Sequence, residues 1–326
     1  MNLQNPKKFK LLIDQAHQVA INVLRPISRK YDKAEHSYPK ELDMLASLVD
    51  GMNEGGEGMN AGAAVGKRGT NEQGNKNGVN LSTALSVIEM CYGDTALLLS
   101  MPRQGLGNSA IAAVANEEQL ERFKNTWAAM AITEPNCGSD SAAIRTTATK
   151  DGEDYILNGE KIFVTSGDRA DAIVVWATLD KKLGRSAIKS FVIPKGTAGM
   201  TVERLEHKLG IKASDTAVIR LINCRVPANN LLGNAEIDIA KGFAGVMETF
   251  DNTRPLVAAM AIGCAKASLE RIKEIFSDCL DPQYITPYLQ TTHIASQIYR
   301  MEAEWEAARL LTLKAAWMAD NKKPNS

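Results

Sequence analysis

Apolar residues Phe9, Leu12, Ile13, Ala16, Ala20, Val23 and Ile27 recur every three to four positions over residues 6–30. That spacing predicts an opening amphipathic helix, with Pro26 as its kink or end. The same period returns over 81–100 and 109–124, where Glu117, Glu118, Gln119 and Arg122 mark the solvated side of a short helix. From residue 128 the period becomes two. The stretches 128–133, 145–150, 155–157, 161–165, 172–179, 188–194, 200–205 and 216–226 all suit strands. Asp151-Gly152 and Asn158-Gly159 lie between them, dipeptides that accept the positive φ of tight hairpin turns. The middle third is therefore read as antiparallel β, with no βαβ alternation. After Lys241-Gly242 the helical period resumes, with Val257, Met260, Ala261, Cys264, Ile272 and Ile275 on one face and Asp251-Asn252-Thr253 plus Pro255 as start signals. A second long helix follows Pro287, its face formed by Ile294, Ile298, Met301, Trp305, Ala308 and Ala315. Two such stripes need covering on more than one side, so other helices, from the first domain or from another chain, must complete a bundle.

At 326 residues the chain is too long for one compact core. The changes of period divide it into an N-terminal helical domain at 1–126, a middle β domain at 127–240 and a C-terminal helical bundle at 241–326. Residues 51–80 stand apart: nine of the thirty are glycine and few are large and apolar, which predicts a mobile loop. Thirty-eight basic residues balance 38 acidic ones, so no net field gathers nucleic acid or anionic lipid. The start is amphipathic rather than a signal-like apolar run, and no stretch approaches the roughly 18 apolar residues of a membrane span. A cytoplasmic location is expected, without nucleic-acid binding or membrane insertion. Cys91, Cys137, Cys224, Cys264 and Cys279 are odd in number and widely spaced, which indicates neither a disulfide frame nor a zinc site. Most are expected to be buried as small apolar residues.

Three segments could carry chemistry. Gly105-Leu106-Gly107-Asn108-Ser109-Ala110 fits a G-x-G-x-x-A dinucleotide fingerprint, but Pro102 and Arg103 precede it in place of a buried strand, so an interhelical turn is the better reading. Ala131-Ile132-Thr133-Glu134-Pro135-Asn136-Cys137-Gly138-Ser139-Asp140-Ser141 is a strand end passing into a loop rich in glycine and hydroxyl groups. Such a loop offers donors to an anion or a ring carbonyl, although Asx-type bonds closing a turn would use the same residues. The third, Tyr155-Ile156-Leu157-Asn158-Gly159-Glu160-Lys161-Ile162-Phe163-Val164-Thr165-Ser166-Gly167, follows at a fixed interval.

Taken together with Lys208-Leu209-Gly210, Ser214-Asp215-Thr216, Val226-Pro227 and Phe250-Asp251-Asn252-Thr253-Arg254-Pro255, these segments resemble the acyl-CoA dehydrogenase family over nearly the whole chain. The resemblance implies an α+β multidomain fold: a helical N-terminal domain, a middle antiparallel β-barrel or sandwich, and a C-terminal helical bundle, here incomplete, with FAD between the last two. It implies that Ile132 and Thr133 meet the isoalloxazine edge and that Gly138 and Ser139 meet the pyrophosphate, Ser139 also lying near CoA. Phe163 takes the place usually held by Trp against the flavin, and Thr165 would hydrogen-bond near N5. Phe250, Asp251 and Arg254 correspond to positions near the acyl-CoA substrate. Cys137 departs from the small residue usual in that loop.

The activity implied is α,β-dehydrogenation of an acyl-CoA thioester, with electrons passing to an electron-transfer flavoprotein, in a homo- or hetero-oligomer, a dimer or tetramer. That chemistry needs a carboxylate base and hydrogen bonds to the thioester carbonyl. The family keeps its Glu either just before the Arg on the first bundle helix, where this chain has Thr253, or in a C-terminal Glu-Gly-Thr loop, a place that would lie beyond Ser326. A family Arg-x-x-Phe-Gly motif is replaced by Ser277-Asp278-Cys279-Leu280-Asp281-Pro282. The expectation is a family enzyme inactive as this chain; the alternative is a non-catalytic assembly subunit of a hetero-oligomeric relative.

Overall fold

The computed structural model describes residues 5–54, 77–103, 105–237, 244–280 and 292–323. These contain, in order, α1 (Lys10–Val19), a π-helical turn (Ala20–Leu24), α2 (Arg25–Lys33), α3 (Glu41–Glu54), α4 (Val79–Gly93), α5 (Thr95–Leu99), α6 (Leu106–Val114) and α7 (Glu117–Phe123). Then come β1 (Ala128–Ala131), β2 (Thr147–Asp151), β3 (Asp154–Thr165), β4 (Ala172–Thr178), β5 (Ile188–Pro194), β6 (Met200–Leu205) and β7 (Thr216–Pro227), followed by α8 (Ala244–Ile275), α9 (Ser277–Leu280) and α10 (His293–Asp320). Helices precede and follow a curled sheet, the expected α+β class. The chain forms two compact units, one drawn from Met1–Ser28, Gly74–Leu98 and Arg254–Ser326, the other from Arg29–Gln73 and Leu99–Thr253.

In the first unit, Pro26 does not end the opening helix. It has no N–H for the carbonyl of Asn22, and the widened π turn immediately before it absorbs the ring, so α2 continues to Lys33. The amides at the start of α4 are satisfied from the far end of the chain: Asp320 accepts from Gly78 and Leu81 through Oδ2 at 2.8 and 3.1 Å and from Asn80 through Oδ1 at 2.8 Å. A carboxylate there both caps the helix and meets the positive end of its dipole. The indole N–H of Trp305 donates to the Ile262 carbonyl at 3.0 Å. These contacts set the rotation of α10, whose buried residues are Ala295, Ile298, Thr312 and Ala316, whereas Ile294, Met301 and Ala308 are exposed. The expected face is thus turned by about one residue, or 100° of helix. On α8 the buried residues include Ala259, Ile262 and Leu269, and Val257, Ala261, Cys264 and Ile275 of the expected stripe are exposed.

In the second unit, seven strands order as β1-β4-β2-β3-β7-β6, with β5 also paired to β4. β1 runs parallel to β4, and Thr147 of β2 also pairs in parallel with Thr178, so the sheet is mixed rather than wholly antiparallel. The long connection after β1 makes the parallel pairing possible. β4 is buried at every position because a core lies on each side of it. Ile173, Val175 and Ala177 join Leu157, Phe191 and Ile219, while Ala172, Val174 and Trp176 join Ile111, Phe123 and Val192.

Asn158-Gly159 is not a hairpin turn. It is a bulge inside one twelve-residue strand, with the register to β7 shifting between Leu157 and Gly159. Thr146 crosses so close that a Cβ on Gly159 would lie 2.4 Å from its Oγ1. Asp151-Gly152 does lie at the turn joining β2 to β3. The G-x-G-x-x-A segment is neither a dinucleotide turn after a buried strand nor an interhelical turn but the N-cap and first residues of α6: Cβ atoms at Gly105 and Gly107 would sit 2.1 and 2.3 Å from the carbonyls of Ala128 and Ala129, so these glycines let α6 lie on β1.

Helix α8 starts at Ala244, ahead of the expected signals at 251–255, and runs through Pro255. Phe250 and Thr249 explain the extension: Phe250 packs on the second β core and Thr249 is buried, so tertiary burial outweighs the local stop. Cys91, Cys137 and Cys224 are buried, Cys264 is exposed and Cys279 is intermediate. Residues 51–54 belong to α3, whereas 55–76 of the glycine-rich segment, and Asp281-Pro282, lie outside the described residues. No helix among the described residues is long and apolar enough to cross a membrane.

Candidate functional site

The second and third motif segments meet at one place in the β unit. β1 ends at Ala131 and its loop turns beside the last residues of β3. The Ile162 amide donates to the Thr133 carbonyl at 2.9 Å, and the Lys161 ammonium donates to the Ile132 carbonyl at 3.1 Å. Thr133 and Thr165 are both half-buried, and Gly138 and Ser139 are exposed beyond them.

Two charged residues that sequence reasoning passed over hold this junction. Lys161 is 0% exposed and Glu134 7%, and they pair at 2.7 Å. Glu134 also accepts from the Thr146 amide and hydroxyl at 2.9 and 2.6 Å and from the Arg145 amide at 2.7 Å. Burial pushes the carboxyl up, but the Lys161 cation and these hydrogen bonds outweigh it and hold Glu134 below the usual carboxylate range. Burial pushes the Lys161 ammonium down against the opposing pull of Glu134. A carboxylate with four such donors is anionic, so the pair is ionic. The signal was present in the sequence: a lysine at an inward position of an apolar strand, and a glutamate between a strand end and a proline.

Backbone geometry sharpens the site further. Phe163 adopts φ 57° and Ser166 φ 60°, a left-handed conformation that costs a residue with a side chain on the order of 1–3 kcal/mol. Ser166 is held there by its amide to the Asp215 carbonyl at 3.0 Å and its hydroxyl to the Leu99 carbonyl at 3.2 Å. Asp215 in turn accepts from the Asp168 amide at 2.9 Å, which ties the Ser214-Asp215-Thr216 motif to the same turn. The strained backbone leaves the Phe163 ring 61% exposed beside Thr165. An apolar ring held open in this way presents a flat face to a planar partner.

Thr133, Ser139 and Thr165 bring hydroxyls to the two joined segments. Among the described residues, the amides of Gly138 and Ser139 have no hydrogen-bond partner, and a Cβ at Gly138 would meet nothing within 4 Å. Open amides, hydroxyls and an exposed ring are the donor set and stacking surface that a dinucleotide bearing a ring system requires, so these residues fit a flavin nucleotide. Cys137 is buried, its thiol directed at Glu134, with its pKa pushed up by burial and by that carboxylate.

The residues expected near substrate lie on α8. Phe250 packs on the same core as Ile132, and Asp251 is half-buried. Thr253 is buried at 5% exposure. Arg254 is exposed and belongs to the other unit.

Residues 129–224 match the family described as Acyl-CoA dehydrogenase, middle domain, and residues 240–326 match Acyl-CoA dehydrogenase, C-terminal domain. The chain is 32% identical over 329 residues to the cyclohex-1-ene-1-carbonyl-CoA dehydrogenase of Syntrophus aciditrophicus, covering 96% of this chain and 72% of that protein. Its structure is similar to butyryl-CoA dehydrogenase from Megasphaera elsdenii, with a TM-score of 0.79 and 28% identity over 99% of this chain and 82% of that one. It is also similar to a chain in the structure of the electron transferring flavoprotein of Acidaminococcus fermentans, with a TM-score of 0.77 and 29% identity over 99% and 82%.

Proposed function

The chain belongs to the acyl-CoA dehydrogenase family, and on that premise we propose that it is an FAD-dependent oxidoreductase of acyl-CoA thioesters whose flavin lies at the junction of the 132–140 loop with the end of β3. The observation that carries this reading is the exposed, strained Phe163 beside Thr165, joined to Thr133 through the Ile162 amide. FAD is the family's cofactor, and when bound it accepts a hydride from the β-carbon of the acyl group.

The chain's own residues hold and orient. Ile132 and Thr133 would border the ring, and Phe163 would stack against it and exclude water. Thr165 would donate a hydrogen bond near N5, and Gly138 and Ser139 would hold the pyrophosphate with backbone and hydroxyl donors. Phe250, Asp251 and Arg254 border the acyl-CoA. Loss of the α-proton needs a carboxylate, and at the position where one branch of the family keeps it this chain has the hydroxyl of Thr253, which cannot accept a proton at neutral pH. That observation favours a second reading, a non-catalytic assembly subunit. The three-part division at 1–126, 127–240 and 241–326, a dimeric or tetrameric assembly, an electron-transfer flavoprotein as acceptor and a cytoplasmic location belong to the same proposal.

The test is anaerobic. Protein reconstituted with FAD is mixed with a series of acyl-CoA esters and its flavin absorbance followed. The unmodified chain is expected to hold flavin unbleached, and bleaching in its Thr253→Glu variant supports the dehydrogenase reading. Retained flavin that no acyl-CoA bleaches in either protein supports the assembly subunit, and failure to retain flavin overturns the site.

A further inference from the structure

We propose that Glu35, His36 and His207, none of them assigned to flavin, form a binding site for a divalent transition metal of the zinc type. One ligand atom from each of the three lies within 4.8 Å of the others. Glu35 Oε2 and His207 Nδ1 are 3.0 Å apart. Two ligands bound at about 2.0–2.1 Å in a tetrahedral site stand about 3.3 Å apart, so a proton shared between these atoms can be replaced by an ion with a shift of a few tenths of an ångström.

The observation that points to a ligand is His36. Both its ring nitrogens are shielded from solvent and neither has a hydrogen-bond partner. Solvent-shielded imidazole nitrogens with no partner for the donor or the lone pair are costly, and coordination of one nitrogen removes half of that cost. The ring is held in place from several sides. It meets the His207 ring at 5.2 Å and 62°, and its backbone sits at φ 68°. Its carbonyl accepts from Arg169 Nη2 at 3.3 Å.

The remaining contacts prepare the other ligands. Glu35 Oε1 accepts from the Lys208 amide at 3.0 Å, which orients the carboxylate and leaves Oε2 for the ion. Arg169 already bridges the two segments concerned, donating to the carbonyls of His36 and Ser37 on one side and of Ala213 on the other.

Two imidazoles and one carboxylate select zinc, cobalt or nickel. Calcium and magnesium require more oxygen ligands, and the positive charges of Lys208 and Lys212 near Glu35 disfavour ions held by charge alone. The His207 side chain is 83% exposed, which leaves the fourth position to water. The bound ion would staple the α2–α3 connection to the segment between β6 and β7, a link that sequence spacing hides because 170 residues lie between His36 and His207.

The test uses the full, untagged chain stripped with chelator and titrated calorimetrically with zinc chloride. Cobalt(II) serves as a spectroscopic probe. The proposal expects one equivalent of zinc, intense visible bands for the cobalt form, and at least a tenfold loss of affinity in both His207→Ala and His36→Asn. Asparagine tolerates the left-handed backbone at position 36, and position 207 is exposed, so the second variant keeps the test decisive if the first fails to fold. Zinc affinity unchanged in His207→Ala overturns the proposal, as does the absence of a saturable site at millimolar zinc. Binding lost on Cys264→Ser but retained in His207→Ala places zinc on the exposed thiol and overturns it equally. None of these readouts depends on flavin or on turnover.

Discussion

Replacing Lys161 by Met keeps most of the buried stem and removes only the ammonium, so it isolates the charge that neutralises Glu134. The carboxylate would then retain the Arg145 amide and the two Thr146 donors but lose its cation at 2.7 Å. Breaking a buried ion pair from one side costs about 3–5 kcal/mol, because the remaining charge has no compensation. For a unit of this size that corresponds to a fall of roughly 6–20 °C in melting temperature, at about 2–4 °C per kcal/mol.

The sign of the pH dependence is more diagnostic than the size. In the native protein Glu134 titrates below its unfolded value, so its stabilisation is complete at neutral pH and is lost as pH falls through the lowered folded pKa. Without Lys161, burial is opposed only by the Arg145 and Thr146 donors, so the folded pKa rises from its native position. The variant therefore gains stability relative to the parent as pH is lowered toward that raised value. Urea unfolding of both proteins at several pH values measures this difference. A loss below about 1 kcal/mol at neutral pH, or a parent-to-variant gap that widens on acidification, would refute the ionic pair.

Thr165→Val removes a half-buried hydroxyl without opening a cavity, so flavin absorbance and reduction should change while the melting temperature stays nearly constant; a large stability loss with an unaltered flavin spectrum would assign Thr165 to its strand alone. The unmodified chain should show no acyl-CoA oxidation above background with an artificial electron acceptor, and Thr253→Glu should raise the rate by about 10²–10⁴ if position 253 can serve as the base. Strong turnover by the unmodified protein would mean that another residue takes the α-proton. Asp320→Ala should destabilise the helical unit by about 0.5–2 kcal/mol, since three α4 amides lose their acceptor. A calorimetric change within error would show that water replaces the carboxylate at no cost.

Fold class was legible because periodicity is a local property that tertiary packing preserved. The strand stretches appear within a few residues of their expected limits, and Thr133 and Thr165 belong to segments that do meet. What the period could not convey was direction and rotation. A strand continuing through Asn158-Gly159 and one turning there have the same local pattern, and only the close crossing of Thr146 distinguishes them. The stripes on α8 and α10 were found as stripes, yet several of their residues face solvent, because a helix with apolar residues on two sides carries no local signal of which side will be covered.

Residue type and order along the chain by themselves determined the elements, their class and the two motif segments that meet at the proposed flavin site. Tertiary structure decided the rest: that β1 lies parallel to β4, that Asp320 caps α4, that Glu134 and Lys161 neutralise each other under the motif loops, and that Glu35 and His36 meet His207. The physical reason is range. Propensity and periodicity act over a few neighbouring residues. Pairing, burial and charge compensation depend on which distant segments the folded backbone brings within a few ångströms.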